Sequence, residues 1–103
     1  EAIVRTAERF GVEEMKKLGY TNFSLFHYGA NWIHPKHLAI WICVQTDAQK
    51  EEVNNNSALL ASIRRNLAEN GYPAEGVEEV HIAAESKETV DRISGGNWWY
   101  HFK

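Results

Sequence analysis

The sequence predicts a single α+β domain, spanning residues 1–103, in which helices pack on a four-stranded mixed sheet. Three observations lead to this prediction. A chain of 103 residues fits one compact domain, and a hydrophobic share of 44% supplies enough apolar surface for a core. Segments with helical spacing of apolar residues alternate with short strand-like runs. The resulting order is α-β-β-α-β-α-β.

The chain begins with an amphipathic helix over residues 2–18. Apolar residues recur there at spacings of three and four, and charged residues face the other way. Gly19 follows as a stop, because glycine adopts the left-handed conformation without a steric penalty. Gly11 lowers the stability of a helix interior, so its presence indicates a close contact with another backbone.

Two strands follow, and we expect them to pair antiparallel. The first covers residues 23–28 and the second covers residues 37–45. Both contain β-branched or aromatic residues in alternation. The loop between them is too short for the crossover helix that parallel pairing would require, so a hairpin-like connection is predicted.

The middle of the chain is predicted to be helical, with one stretch that fits two structures. Residues 46–49 match a capping box, which marks a helix start. Residues 50–56 are polar and weakly patterned, which fits a frayed helix and a mobile loop equally well. A firmer helix begins after Asn56 or Ser57 and ends before Gly71.

The last part of the chain is predicted to form a strand, a helix and a strand. Residues 80–85 alternate in polarity, and Ser86 can cap a short helix whose buried side is Val90 and Ile93. A pair of glycines ends that helix. Residues 98–102 are aromatic or histidine, which favours a fourth strand. Because a helix joins them, the third and fourth strands should run roughly parallel.

The strand of residues 37–45 is apolar on both of its faces. One side is aliphatic from Leu38 to Val44, whereas the other side carries Trp41 and Cys43. The other strands add further aromatic residues and histidines to this second side. Such a face must be covered by a helix, by a second copy of the protein or by a ligand.

We predict that this second face binds a protein partner. Trp, Tyr and His bury a large area at low entropic cost and are enriched at interfaces. Self-association face to face is the simplest case, and another protein or a peptide is the next. A helix that crosses to this side and forms a second core explains the pattern equally well. The predicted binding residues are Phe26, Tyr28, His37, Trp41, His81, Trp99 and His101.

Charge and composition argue against several other classes. The net charge is −3, from 11 basic and 14 acidic side chains that are mixed along the chain, whereas nucleic-acid binding needs clustered cations. No stretch approaches the roughly 18 apolar residues of a membrane span, and no signal-peptide pattern is present. The single cysteine cannot form an internal disulfide. We therefore expect a cytoplasmic protein.

The histidines suggest a metal site. His34 and His37 flank a proline, and Cys43, His81 and His101 would complete a zinc set if strand direction brought them to one end of the sheet. The proline also has an ordinary explanation as a turn residue. The spacing matches known ligand frames only loosely, so neither a metal nor a cofactor is predicted.

Two other patterns bear on catalysis. Cys43 beside a histidine would supply a thiolate nucleophile, but a cysteine in mid-strand is typically buried and inert. Glu85-Ser86-Lys87, with Asp47 at another strand end, resembles the E-x-K element of metal-dependent nucleases of the restriction-endonuclease fold. However, Lys87 falls in the predicted helix cap rather than in the strand, and the chain is not basic. No catalytic residue is predicted.

These patterns favour a non-enzymatic protein-interaction or regulatory domain, such as a small inhibitor or immunity-type protein. The alternative is a small metal-dependent enzyme or ligand-binding protein with a pocket of histidine, cysteine and tryptophan on the second face. The first hypothesis depends on the excess of interface-type residues, and the second depends on the histidines converging.

Overall fold

A mixed three-stranded sheet organises the chain, with helices on one face and along one edge, and a short helical turn at one end of the other face. The computed structural model describes residues 2–29 and 37–101, apart from the side chains of Trp99 and Tyr100. Within this part of the chain the strands are β1 (Ser24–Tyr28), β2 (Ala39–Val44) and β3 (His81–Ser86). The helices are α1 (Ala2–Lys17), α2 (Asp47–Asn54), α3 (Ser57–Glu69), α4 (Ala74–Val77), α5 (Lys87–Ser94) and α6 (Trp98–His101). The predicted α+β class and mixed sheet are confirmed.

β2 is the central strand, and its pairing defines both faces of the sheet. β1 lies antiparallel to it, as predicted, and β3 lies parallel to it. Leu25 is opposite Ile42, which is in turn opposite Ala84, so these three side chains point the same way. We call their side the core face and the opposite side the second face.

α1 and α3 pack on the core face and close the hydrophobic core. Burying a large aliphatic side chain stabilises a fold by about 1.5–3 kcal/mol. A Cβ at Gly11 would lie 2.6 Å from Leu25 Cδ2, so α1 approaches β1 closely at the predicted position, although a side chain rather than a backbone is the neighbour. Fully buried residues of the two helices include Val4, Met15, Ile63 and Leu67.

The prediction of a fourth strand is wrong, because residues 98–101 form the helical turn α6. Gly95 and Gly96 both have positive φ, 61° and 83°, and redirect the chain after α5. The His101 N–H then donates to the Asn97 carbonyl at 3.0 Å, which is a helical hydrogen bond. Aromatic residues favour strands because they pack against neighbouring strands. At this position the rest of the fold determines the structure instead, and the segment is helical. The last residue of the predicted strand lies outside the described residues.

The helices differ from the prediction at two places and agree with one of its alternatives at a third. The stretch after the capping box is helical as α2, which is one of the two structures that the sequence allowed, and the Thr46 hydroxyl accepts a hydrogen bond from the Gln49 N–H at 3.1 Å. The short helix α4 was not predicted. Ile93 was expected to be buried but is 67% exposed.

One side of α2 binds the outer edge of β3 through polar side chains. Asp47, Lys50 and Asn54 are spaced three and four residues apart and so share one side of the helix. The Ala84 N–H donates to Asn54 Oδ1 at 2.7 Å, and Asn54 Nδ2 donates to the Ala84 carbonyl at 3.2 Å. The asparagine amide therefore takes the place of a neighbouring strand. We call these three residues the polar stripe of α2.

The first turns of α2 and α5 each bind a carboxylate from the other helix. Asp47 accepts hydrogen bonds from Ser86 Oγ at 2.5 Å, from Thr89 Oγ1 at 2.7 Å and from Arg92 at 3.0 Å. In return, Glu88 accepts from the Asp47 N–H at 2.6 Å. Helix N-termini carry unbonded N–H groups and partial positive charge, which favour an anion. The hydroxyl hydrogen bonds, that of Ser86 above all, lower the pKa of Asp47 to about 2.

Replacing the edge asparagine should destabilise the domain. Asn54→Ala leaves both main-chain groups of Ala84 without their partner, so we expect the free energy of unfolding in urea to fall by about 1–3 kcal/mol. Asn55→Ala changes the exposed neighbouring asparagine and should alter the free energy of unfolding by less than about 0.5 kcal/mol. Equal effects of the two changes would show that Asn54 does not close the edge.

The Asp47 carboxylate should make stability depend on pH in acid. Its pKa is lowered in the folded state, so its contribution is complete above about pH 4 and is lost as the pH falls towards about 2. We expect Asp47→Asn to be less stable than the unchanged protein at about pH 6, and the difference to shrink as the pH approaches 2. Chemical unfolding at a series of pH values measures this, and a difference independent of pH would contradict it.

Candidate binding face

The second face carries three rows of side chains across the sheet. From one end to the other, the rows are Ser24, Cys43 and Glu85; then Phe26, Trp41 and Ala83; then Tyr28, Ala39 and His81. Four of the predicted binding residues therefore lie together. We call the last two rows the aromatic half, and we call the first row, with the residues bound to it, the Glu85 end.

The aromatic half is partly open to solvent. Tyr28 is 47% exposed, His81 is also exposed, and Phe26 and Trp41 are half-buried. The ring centroids of Trp41 and His81 lie 4.9 Å apart with a tilt of 57° between the rings, within the usual range for aromatic pairs. This half combines apolar ring surface with the polar atoms of tyrosine and histidine, which is the character of a protein-binding surface.

Two other predicted residues lie near opposite ends of this face. His37 is exposed and precedes β2. A Cβ on Gly29 would overlap its carbonyl oxygen, so the two strand ends meet closely, beside Tyr28. Trp99 lies in α6, but its side chain is outside the described residues.

The Glu85 end is closed by internal hydrogen bonds. Glu85 is only 8% exposed and accepts from Lys50 Nζ at 2.7 Å, from His101 Nε2 at 2.8 Å and from the Ser86 N–H at 3.0 Å. Because an ionised carboxylate only accepts, His101 Nε2 must carry a proton. His101, predicted as a binding residue, thus lies in α6 at this end, with its side chain 13% exposed.

The charge of Glu85 is held by its partners. Burial by itself raises the pKa of Glu85, but the hydrogen bonds from Lys50, His101 and the Ser86 N–H outweigh it and leave the pKa below its ordinary value. The carboxylate therefore stays ionised near neutral pH. A buried charge of this kind is stable only while its partners remain in place.

Ser94, His101 and Glu85 form a hydrogen-bonded relay that has the residue types of a hydrolase triad. Ser94 Oγ lies 2.9 Å from His101 Nδ1. Such chemistry also needs donors for an oxyanion, yet the N–H groups of Gly95 and Gly96 both bond to the Val90 carbonyl. Ser94 is also at the C-terminal end of α5, where the helix dipole disfavours negative charge. The relay links α5 and α6 to β3.

No family model, curated protein or solved structure matches this chain.

Cys43 borders a small pocket but is not set up as a nucleophile. The pocket has a volume of about 280 Å³ and lies beside the first row of the second face, with Trp98, Phe26 and Lys87 also in its wall. Burial raises the pKa of the Cys43 thiol to about 11, against a smaller lowering by a Ser24 hydrogen bond. The thiol is thus protonated at neutral pH, as the mid-strand position predicted.

The residues of the nuclease-like pattern do not converge. Asp47 binds Ser86, whose side chain belongs to the core face, while Glu85 points to the second face. Lys87 instead pairs with Asp91 at 2.7 Å. Among the residues described, no group of three His, Cys, Asp or Glu side chains is arranged to hold a metal ion. Nor does any helix there have the length and apolar character needed to cross a membrane.

Lys50 and Ser94 belong to the Glu85 end but were not predicted to do so. A signal for Lys50 was present, because it lies on the same side of α2 as Asp47 and Asn54. That side of the helix is polar, so apolar periodicity does not reveal it. Ser94 carries no such signal, since only the turn at the following glycines brings His101 back to it.

The raised thiol pKa should make Cys43 slow to react. At about pH 8, a pKa near 11 rather than 9 lowers the thiolate fraction about a hundredfold. We therefore expect iodoacetamide to alkylate the folded protein at least about a hundredfold more slowly than the urea-unfolded chain. Similar rates, followed by mass spectrometry, would mean that Cys43 is exposed and ionised.

Proposed function

We propose that this chain is a non-enzymatic interaction domain that binds a partner protein through the aromatic half of its second face. It would act as a cytoplasmic regulatory, inhibitor or immunity-type module. The observation that carries this proposal is the cluster of Tyr28, Trp41 and His81, in which exposed and half-buried rings lie side by side on a rigid sheet.

The rigidity of this surface supports a role in binding. Phe26 and Trp41 are opposite each other on paired strands, and Tyr28 and His81 flank Ala39 in the next row. The backbone of paired strands loses little further freedom on association, so less of the binding free energy is spent on ordering it. Aromatic residues near the centre of such a surface are the usual source of binding energy.

Three reactive side chains among the described residues support a non-enzymatic role, because their polar atoms are engaged or buried in the fold. Glu85 is paired with Lys50 and His101, and Asp47 is bound at the start of α5. Cys43 is buried with a raised pKa. Since 14 acidic side chains outnumber 11 basic ones, a protein partner also suits the chain better than a nucleic acid does.

A charge in the aromatic half should abolish partner binding without unfolding the domain. Partners would be selected from displayed protein fragments of the source organism, and their affinities measured by calorimetry. Tyr28→Lys places an ammonium group among the rings, so we expect the affinity to fall at least about tenfold. Circular dichroism would verify that the fold is retained.

Leu18→Lys is the matched control, because Leu18 is 51% exposed and follows α1, away from the second face. It should change the affinity by less than about twofold. If every selected partner binds Tyr28→Lys as tightly as the unchanged protein, or loses affinity with Leu18→Lys instead, the aromatic half is not the binding surface.

The pocket beside Cys43 supports a second candidate, the binding of a small molecule. Its wall combines the rings of Phe26 and Trp98 with polar side chains, which suits a small molecule that carries an aromatic ring. The predicted alternative named a pocket of histidine, cysteine and tryptophan around Cys43 and Trp41. This pocket contains Cys43, but its tryptophan is Trp98 and no histidine lines it among the described residues. Protection of Cys43 from alkylation by added ligand is the corresponding assay.

A further inference from the structure

The short helix α6 lies over the first row of the second face. At one end of that row, His101 Nε2 donates a hydrogen bond to Glu85 at 2.8 Å. In the middle of the row, Trp98 and Cys43 border the same pocket. Because Cys43 and Glu85 are neighbours across the paired strands β2 and β3, α6 extends from the carboxylate to the pocket beside the thiol.

Two adjacent glycines connect α6 to α5. Gly95 and Gly96 both have positive φ, and glycine changes its main-chain angles at a lower steric cost than other residues do. Hinges in proteins are a few residues at the ends of elements that absorb such changes. A rotation at this junction would move α6 as a unit, while α5 stays packed through the buried Val90.

The His101 side chain fastens α6 to the elements beneath it. A helix of four residues is too short to be stable by itself, so α6 depends on contacts with the rest of the molecule. His101 makes two of them, with Glu85 and with Ser94 Oγ at 2.9 Å. If His101 leaves, Glu85 still accepts from Lys50 Nζ at 2.7 Å and from the Ser86 N–H at 3.0 Å. Release of α6 therefore does not leave a buried charge without partners.

The pocket beside Cys43 has one wall that can move. Ser24, Phe26, Cys43 and Val44 hold their part of the wall on the paired strands β1 and β2, whereas Trp98 belongs to α6. With α6 in place the volume is about 280 Å³, which is just below the roughly 300–1,000 Å³ of typical small-molecule sites. Displacement of α6 would remove the Trp98 wall and enlarge the pocket.

We propose that α6 is a hinged lid, which swings about Gly95 and Gly96 and opens the pocket beside Cys43. In the closed state His101 is bonded to Glu85 and the thiol is buried. In the open state this hydrogen bond is broken, Trp98 has left the pocket and the thiol is exposed to solvent. A molecule that is too large for the closed pocket then gains access.

The lid regulates the pocket of the second candidate function, and it rests on that candidate only for the kind of molecule that enters. Opening and closing do not require a ligand. The reactivity of Cys43 without any ligand therefore tests the lid, whereas protection of Cys43 by an added ligand tests what the pocket binds.

Loss of the imidazole of α6 should speed the alkylation of Cys43. His101→Ala removes the hydrogen bond to Glu85 and so favours the open state, in which the thiol is no longer buried. We expect iodoacetamide at about pH 8 to react at least about tenfold faster than with the unchanged protein. Circular dichroism and urea unfolding verify that the rest of the domain stays folded.

His27→Ala is the matched control, because it also removes a contact between an imidazole and a carboxylate. His27 Nδ1 lies 3.1 Å from Glu8 Oε2, and His27 is opposite Ile40 on the core face, away from Cys43. Since the lid opens without unfolding β1, the alkylation rate should change by less than about twofold. Equal acceleration by the two substitutions, or no acceleration by a folded His101→Ala variant, would overturn the proposal.

Urea tests the lid in the unchanged protein. Sensitivity to urea scales with the surface that a transition exposes, and opening of α6 exposes far less surface than unfolding of the domain does. We expect the alkylation rate at low urea concentrations to rise much less steeply than the unfolded fraction. A rate proportional to the unfolded fraction at every urea concentration would overturn the proposal, because Cys43 would then react only after global unfolding. A ligand small enough for the closed pocket could still protect Cys43 in that case, so the two proposals fail separately.

Discussion

Two carboxylates hold together the end of the sheet where β2 and β3 finish. Asp47 of α2 is bound at the start of α5, and Glu88 of α5 is bound at the start of α2. Parallel strands deliver the chain to helix starts at the same edge, and each start brings N–H groups that lack partners. Asp47 and Glu88 supply acceptors to each other's helix. This contact fixes the position of α2 along β3, and the other contacts of the polar stripe follow from the helical repeat.

Two consequences of that position determine the surface of the molecule. Lys50 reaches Glu85, which lets a carboxylate remain charged under α6, and Asn54 reaches Ala84, which closes one edge of the sheet. Hydrogen bonds and ion pairs within the molecule thus occupy the polar groups of the Glu85 end. In the part of the chain that the structure describes, the aromatic half of the second face stays partly open to solvent.

The candidate site could be predicted in part. Strict alternation in β1 and β2 placed Phe26, Tyr28 and Trp41 on one face, and antiparallel pairing followed from loop length. His81 joined them because β3 alternates too. The burial of His101 against Glu85 could not be predicted, since it requires a helical turn where five aromatic or histidine residues suggested a strand.

By itself, the sequence determined the α+β class, α1, α3, the capped start of α2 and the apolar character of both faces of β2. These features depend on local spacing, capping and alternation, which operate within a few residues. Only the tertiary structure decided that α6 is helical, that α2 covers one edge through polar atoms and that the second face is half closed. Those outcomes depend on hydrogen bonds between residues far apart in the sequence, which are 30 positions for Asn54 with Ala84 and 16 positions for Glu85 with His101. No local pattern encodes which of several polar groups will meet once the chain is compact.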